Sequence, residues 1–174
     1  MKEVILISGT PGTGKTELAK KIAERYDYEY IHIGEHEEYI IAEKDVKIID
    51  LNKLIKWLKK KQDSNEKDMI VDSHLSHYYP PDRTKICIIM RCDPAELRMR
   101  LKRRQYPEQK ININLEAEAM DLILQEALAE GHKVHEIDTT HKTASICEEE
   151  AINVIDGGER SYGKIDYSHY LVKK

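Results

Sequence analysis

The octapeptide GTPGTGKT, which begins at Gly9, contains the residues best suited to phosphate chemistry. It matches the pattern G-x-x-x-x-G-K-[ST] in full and lies between a predicted strand and a predicted helix, the context that the pattern requires. Its glycines allow close backbone approach, and its N–H groups converge on phosphate oxygens at the start of the helix. Lys15 can reach the β- and γ-phosphates of a nucleotide, and Thr16 can place its hydroxyl on Mg²⁺. The candidate nucleotide-binding residues of this loop are Gly9, Gly12, Thr13, Gly14, Lys15 and Thr16.

A carboxylate ends the short apolar segment MIVD at residues 69–72. P-loop proteins hold Mg²⁺ through an aspartate in this position, so Thr16 and Asp72 are the predicted metal ligands. His74 follows two residues later and lies on the same side if the chain stays extended. It could orient a water molecule or sense the γ-phosphate. The alternative is a solvated loop histidine, because the chain has eight histidines, and His77 is a weaker candidate.

Five of the chain's eight arginines lie between residues 91 and 104. Arg100 and Arg104 are four residues apart and share a helix face. Guanidinium groups bind phosphate through paired hydrogen bonds and stabilise the charge on a transferring phosphoryl group. A solvated basic face or an RNA-facing patch is the alternative, although only Tyr106 supplies an aromatic side chain nearby. We expect Arg98 and Lys102 to face solvent. The predicted catalytic residues are Lys15, Asp72, His74, Arg100 and Arg104.

Apolar segments with strand character alternate with segments of helical periodicity along the whole chain. This alternation predicts a parallel α/β sheet of five strands with helices on both faces. Because a phosphate loop follows the first strand, we expect a P-loop domain with the strand order 2-3-1-4-5. Ligands bind such sheets at the carboxyl ends of the strands, where the candidate residues lie. The predicted strands are 3–8, 28–33, 69–72, 85–90 and 134–138, and the predicted helices are 16–25, 51–61, 93–105, 114–130 and 143–155. Residues 34–50 form an irregular excursion, 106–113 a linker and 157–174 a polar tail.

Length and composition favour a single domain over residues 1–174. Hydrophobic residues make up 40% of the chain and charged residues 34%, which excludes a disordered polar chain. The net charge of −4 gives no general attraction to nucleic acid or membranes. No apolar run approaches the roughly 20 residues that a membrane helix needs. The N-terminal stretch is too short for a signal peptide, so we expect a cytoplasmic protein with reduced cysteines.

Three segments together resemble the adenylate kinase isoenzyme six family. They are GTPGTGKT, VDSH followed by HYYP, and RLKRRQYPEQKININLEAE. The resemblance covers residues 2 to about 130, with weaker correspondence to Ile155. Members of this family are described as adenylate kinases and ATPases that act in maturation of the small ribosomal subunit. The resemblance therefore implies a nucleoside-monophosphate-kinase-like P-loop fold with short monophosphate-binding and lid segments.

The resemblance also implies roles for individual residues. Asp72 and His74 would match a Walker B-like Asp-x-His, with His74 acting in ATP hydrolysis. Arg104 would lie at the start of the lid, which would span roughly 103–113, and would contact ATP. The monophosphate-binding excursion would be roughly 32–49. The DTTHK segment would lie near the adenine, which makes Thr139 and Thr140 candidate nucleotide-binding residues. The implied ligands are ATP, ADP, AMP and Mg²⁺. The implied partner is the platform ribosomal protein of the small subunit, with indirect contact to ribosomal RNA.

One departure bears on the acceptor, because no arginine occurs between Arg25 and Arg83. Ordinary adenylate kinases clamp the AMP phosphate with an arginine in that region, and His36 or Lys44 could substitute here. Another departure is Tyr167, which stands where related archaeal chains carry tryptophan. Three functions therefore stay open. They are transfer from ATP to AMP together with ATP hydrolysis, a nucleotide-switched assembly factor, and a kinase for another small acceptor.

Overall fold

Seven strands and seven helices follow one another in the computed structural model, which describes residues 2–36, 38–43 and 47–172. The strands are β1 Val4–Gly9, β2 Glu29–His32, β3 Ile40–Glu43, β4 Lys47–Ile49, β5 Met69–Asp72, β6 Ile86–Arg91 and β7 Val134–Asp138. The helices are α1 Lys15–Tyr26, α2 Leu51–Ser64, α3 Pro94–Arg103, α4 Glu108–Ala119, α5 Leu122–Ala129, α6 Ala144–Ile155 and α7 His169–Val172.

Five of the strands form one parallel sheet in the order β2-β5-β1-β6-β7. Counted among the sheet strands alone, this is the predicted order 2-3-1-4-5, so the predicted fold class is confirmed. Leu6 of β1 lies in register with Val71 on one side and Cys87 on the other. The carboxyl ends of β1, β5 and β6 therefore meet at one edge of the sheet, where the phosphate loop begins.

Apolar side chains cover both faces of the sheet. In β1, Val4 and Leu6 pack into a core with residues of α2 and α5. Ile5 and Ile7 point the other way and pack against residues of α1 and α6. A strand buried on both faces needs a continuous apolar run, which explains why β1, β5 and β6 do not alternate with polar residues.

Two predicted segments differ from the structure. The excursion at 34–50 contains an antiparallel hairpin of β3 and β4, outside the main sheet. The predicted linker at 106–113 is wrong, because α4 already begins at Glu108. Ile111 and Leu115, one helical turn apart, are buried against α3 and hold this helix in place.

The predicted helix 114–130 is broken in two. Asp121 lies between α4 and α5 with a φ of 54°, in the left-handed region, and its carboxylate accepts a hydrogen bond from Arg91. A local turn and a buried ion pair therefore interrupt a periodicity that looks continuous in the sequence. The polar tail is also partly ordered, since Tyr167 is buried and α7 follows it. Within the described ranges, no helix has the length and apolar character needed to cross a membrane.

Candidate functional site

The phosphate loop connects β1 to α1 and presses closely on its neighbours. Gly9 and Gly12 adopt φ values of 140° and 95°. A Cβ on Gly9 would lie 2.4 Å from the carbonyl oxygen of Met90, and one on Gly12 would lie 2.9 Å from Leu97. Gly9 is therefore required by conformation and by space, and Gly12 by its conformation. The loop is held against β6 and α3, which fixes where its N–H groups point.

Lys15 is buried at the start of α1, and its Nζ donates to the carbonyl oxygen of Thr10 over 2.9 Å. Burial lowers the pKa of Lys15 to about 8, although the negative charges of Asp72 and Glu118 act in the opposite direction. A buried ammonium with a lowered pKa lacks sufficient negative charge around it. Phosphate oxygens placed in this loop would supply that charge.

Asp72 lies at the end of β5 and is fully buried. Its Oδ2 accepts hydrogen bonds from Thr16 Oγ1 at 2.7 Å and Tyr30 OH at 3.0 Å, and His32 Nδ1 lies 3.1 Å away. Burial favours the neutral acid, but the hydrogen bonds of His32 and Thr16 and the charge of Lys15 outweigh it, so the pKa of Asp72 lies below its usual value. The carboxylate is therefore ionised near neutral pH.

Sequence reasoning missed Tyr30 and His32. Both belong to β2, and the sheet register places His32 beside Asp72. Tyr30 and His32 are two residues apart in one strand, so their side chains share a face of the sheet. This spacing was the only sign in the sequence that the two side chains could act together. Contact with Asp72 itself depends on which strand becomes the neighbour of β5.

Asp72 Oδ1 is buried and has no hydrogen-bond partner in the described structure. This oxygen and the nearby Thr16 hydroxyl are the hard ligands that suit Mg²⁺, which usually takes only one or two protein ligands beside phosphates and water. The two predicted metal ligands are thus brought together. Among the described residues there is no cluster of three or more histidine, cysteine or acidic side chains that could hold a metal ion.

The two histidines after β5 have different environments. His74 is exposed on the turn that follows the strand. Although the side chain reaches solvent, partial desolvation by neighbouring residues, together with the positive charge of Lys15, lowers the pKa of His74 to about 4. His77 is fully buried and connects Ser8 Oγ with Glu126 Oε2, each at 3.0 Å. Only His74 is placed to meet a ligand or a water molecule.

The arginines of α3 and its C-terminal cap have different surroundings. Arg100 donates to the side chain and carbonyl oxygen of Thr139, at 3.0 and 2.8 Å, and to Glu96 at 2.9 Å. It therefore braces the loop after β7. Arg104 is exposed at the end of the helix and lines the same cavity as the phosphate loop. Arg98, predicted to face solvent, instead bonds Glu108, Asn112 and Tyr170 and joins α3 to α4 and the tail.

A cavity of about 230 Å³ opens beside the phosphate loop. Its lining includes Gly12, Thr13, Gly14, Leu18, Arg100, Arg104, Thr139, Lys142, Ala144 and Cys147. Of the two threonines predicted to bind nucleotide, Thr139 lines this cavity. Thr140 instead accepts from the N–H of Asp93 at 2.9 Å and donates to Asp138 at 2.5 Å. Lys142, Ala144 and Cys147 were missed, because the start of α6 and the residue before its N-cap contribute to the cavity only after the sheet has assembled.

The arrangement can bind a polyphosphate at the loop, a metal ion between Thr16 and Asp72, and a flat ring in the adjoining cavity. Comparison with known proteins is consistent with this geometry. The AAA domain family matches residues 5–121 of the chain. A relative named "Putative adenylate kinase" from Thermococcus kodakarensis is 38% identical over 169 residues, covering 95% of this chain and 93% of the relative. A protein of the same name from Archaeoglobus fulgidus is 40% identical over 167 residues, covering 92% and 86%.

Among solved structures, deoxyadenosine kinase from M. mycoides with bound dATP superposes with a TM-score of 0.62. The match covers 88% of this chain and 100% of that one, at 16% identity, and therefore shows a shared fold alone. The family match spans more than half of the chain, and the archaeal relatives cover nearly all of it. The chain therefore belongs to the AAA domain family and, with these archaeal relatives, to one adenylate kinase-like family.

Proposed function

We propose that this protein is a nucleotide kinase that transfers the γ-phosphoryl group of MgATP to AMP and also hydrolyses ATP. The observation that carries the proposal is the position of Lys15, buried in a complete phosphate loop beside the Asp72–Thr16 pair. The cavity next to the loop has room for a nucleobase. The names of the archaeal relatives support the same activity.

Phosphoryl transfer needs positioning and charge stabilisation more than covalent chemistry. In this reaction Lys15 holds the β- and γ-phosphates, and Arg104 neutralises charge that develops on the transferring group. Arg100 keeps the Thr139 loop against the base. Mg²⁺ held by Thr16 and Asp72 would neutralise the phosphates when bound. Closure of the proposed lid over these groups would exclude water and favour transfer over hydrolysis.

The proposed lid, at 103–113, comprises the end of α3, a short turn and the first residues of α4. The proposed monophosphate-binding excursion, at 32–49, contains the β3–β4 hairpin. Of the two candidates for the AMP phosphate, His36 lies with its ring 4.6 Å from that of Trp57. Lys44 lies outside the described residues. No arginine occurs between Arg25 and Arg83, and this supports an alternative, a kinase for another small phosphate acceptor.

A second proposed role is in maturation of the small ribosomal subunit, with the platform ribosomal protein as partner and ribosomal RNA nearby. The resemblance of the VDSH and RLKRRQYPEQKININLEAE segments to the isoenzyme six family supports this role. His74 is exposed and lies within the electrostatic reach of Lys15, which supports the hydrolysis that such a role would use. In that case the change of conformation, rather than ADP, is the output of the cycle.

Turnover of MgATP by the purified protein tests these proposals. ADP formation is measured with and without AMP, and with and without the platform ribosomal protein. A steep rise with AMP supports the kinase. Phosphate release that ignores AMP but changes with the ribosomal protein supports the assembly ATPase. If the wild-type protein neither binds nor turns over MgATP, both proposals are wrong.

His74→Ala is expected to lower ATP hydrolysis about tenfold while leaving ATP affinity nearly unchanged, because the side chain acts on water rather than on the phosphates. Phosphate release and calorimetric affinity are measured on the same preparation. The matched control is His169→Ala, which removes an exposed histidine from α7 in the tail. Hydrolysis at the wild-type rate would make His74 an ordinary surface residue.

Arg104→Ala is expected to lower kcat by about tenfold to a hundredfold, because it removes one partly screened charge contact to the transferring phosphoryl group. Steady-state kinetics with varied MgATP measure the change. Lys102→Ala is the control, because Lys102 is an exposed cation of α3 that lies outside the proposed lid and does not line the cavity described above. Equal losses in the two variants would point to a general charge effect and place the phosphate-contacting arginine elsewhere.

A further inference from the structure

A buried cluster of charges connects α4 to β6. Arg91 at the end of β6 is 2% exposed, and its guanidinium donates to Glu118, Asp121 and Glu136. Its Nε lies 2.8 Å from Glu118 Oε1, and the same oxygen accepts the N–H of Cys92 at 3.0 Å. Glu118 Oε1 is therefore occupied by two donors, and the carboxylate cannot turn without breaking both contacts.

The other oxygen of Glu118 contacts the phosphate loop. Thr10 Oγ1 donates to Glu118 Oε2 over 2.5 Å, and both residues are buried. The carbonyl oxygen of Thr10 accepts hydrogen bonds from Lys15 Nζ at 2.9 Å and from Thr13 Oγ1 at 2.8 Å. Glu118 thus holds the side chain of the residue whose backbone holds the loop lysine.

We propose that Glu118 is a positioning residue for the phosphate loop: it fixes Thr10 and, through Thr10, sets where Lys15 meets the reacting phosphates. This inference rests on the proposed function, since phosphoryl transfer is the reaction in which the placement of Lys15 matters. Glu118 does not itself contact the substrate site, because its side chain is 3% exposed and bonded at both oxygens. Its hydrogen bond to the loop is made through Thr10.

The composition of the cluster separates this role from simple charge pairing. Arg91 is a single cation that already has two other carboxylate partners, Asp121 and Glu136. Its charge is therefore balanced without Glu118. A third buried carboxylate raises the cost of desolvation. Of these three carboxylates, Glu118 is the one that receives a hydrogen bond from the loop.

Replacing Thr10 tests the inference with the smallest change. Thr10→Val removes the hydroxyl and keeps the shape and the carbonyl group, whereas Thr10→Ser keeps the hydroxyl. We expect Thr10→Val to lower kcat about tenfold, with KM for MgATP changed by less than about threefold, since a small misplacement of a reacting contact affects the transition state most. Thr10→Ser is expected to stay within about twofold of the wild type.

Glu118→Gln is expected to lower kcat in the same way. Two N–H donors meet the Oε1 position, so the amide oxygen would take that place and the NH₂ group would face Thr10. The NH₂ group would donate to the Thr10 hydroxyl, so a charge-assisted contact would be replaced by a neutral one of opposite direction. The matched control is Glu136→Gln, which removes an equal charge from the same arginine without touching the loop. It is expected to lower the melting temperature while leaving kcat within about twofold of the wild type.

A spectroscopic measurement separates this inference from the proposed function. The ¹³Cε signal of Lys15, assigned with Lys15→Ala, is expected to shift in Thr10→Val and not in Thr10→Ser or Glu136→Gln. If the wild type shows no turnover, the proposed function is wrong and this signal still decides the role of Glu118. Three results would each overturn the inference. The first is an unshifted Lys15 signal in Thr10→Val, and the second is an equal loss of kcat in Thr10→Val and Thr10→Ser. The third is an equal loss of kcat in Glu118→Gln and Glu136→Gln. Should Glu118→Gln fail to fold, the two Thr10 variants remain decisive.

Discussion

Lys15→Ala is expected to reduce turnover of MgATP by about a thousandfold or more, the largest effect of any single substitution in this protein. Lys15 is the buried cation of the phosphate loop, and alanine leaves the phosphates without its charge. The same change removes an ammonium whose burial lowers its pKa to about 8. Folding should therefore tolerate the substitution, and the melting temperature should change little.

Steady-state turnover, calorimetric ATP affinity and the melting temperature are measured together for Lys15→Ala. Arg25→Ala is the control, because Arg25 is an exposed cation in the last turn of the same helix. We expect Arg25→Ala to retain wild-type turnover. Turnover above about a tenth of the wild-type rate in Lys15→Ala would remove the phosphate loop from the reaction, since one buried charge contact accounts for far more than that.

The parts of the site that the sequence could predict are local. The loop from Gly9 to Thr16 is one continuous segment, and its glycines predict a turn. Asp72 ends an apolar strand, and strand ends in parallel sheets meet at one edge. Both predictions need only the order of residues along the chain and the alternation of strands and helices.

The parts that escaped prediction depend on contacts between distant segments. Thr10 and Glu118 are separated by 108 positions, and His32 and Asp72 by 40. Contacts between these side chains depend on the sheet register and on how α4 packs. Local periodicity predicts neither of them. The break at Asp121 is of the same kind, since it forms with a contact to Arg91.

The two threonines after β7 show most directly what the sequence alone cannot predict. Thr139 and Thr140 are adjacent and chemically identical, so composition gives no reason to choose between them. Thr139 Oγ1 donates to the carbonyl oxygen of Arg91 at 2.9 Å, and this places it beside the cavity. Thr140 lies near Tyr167, with the two hydroxyls 3.3 Å apart. The two side chains make different contacts, and only the assembled loop decides which one faces the cavity.

Asp72→Asn is expected to lower kcat about a hundredfold and to abolish the dependence of ATP affinity on Mg²⁺. Three donors converge on Asp72 Oδ2, so the amide oxygen of asparagine would occupy that position. The NH₂ group would then stand where Oδ1 now lies unpaired. A donor in that place cannot bind a cation, although the side chain keeps its shape.

ATP affinity is measured by calorimetry with and without Mg²⁺, and turnover is measured over a range of Mg²⁺ concentrations. Asp82→Asn is the control for the loss of one negative charge, because Asp82 is exposed in a short turn before β6. If Asp72→Asn binds ATP more tightly with Mg²⁺ than without it, as the wild type should, the metal lies elsewhere and the orphaned Oδ1 has another role.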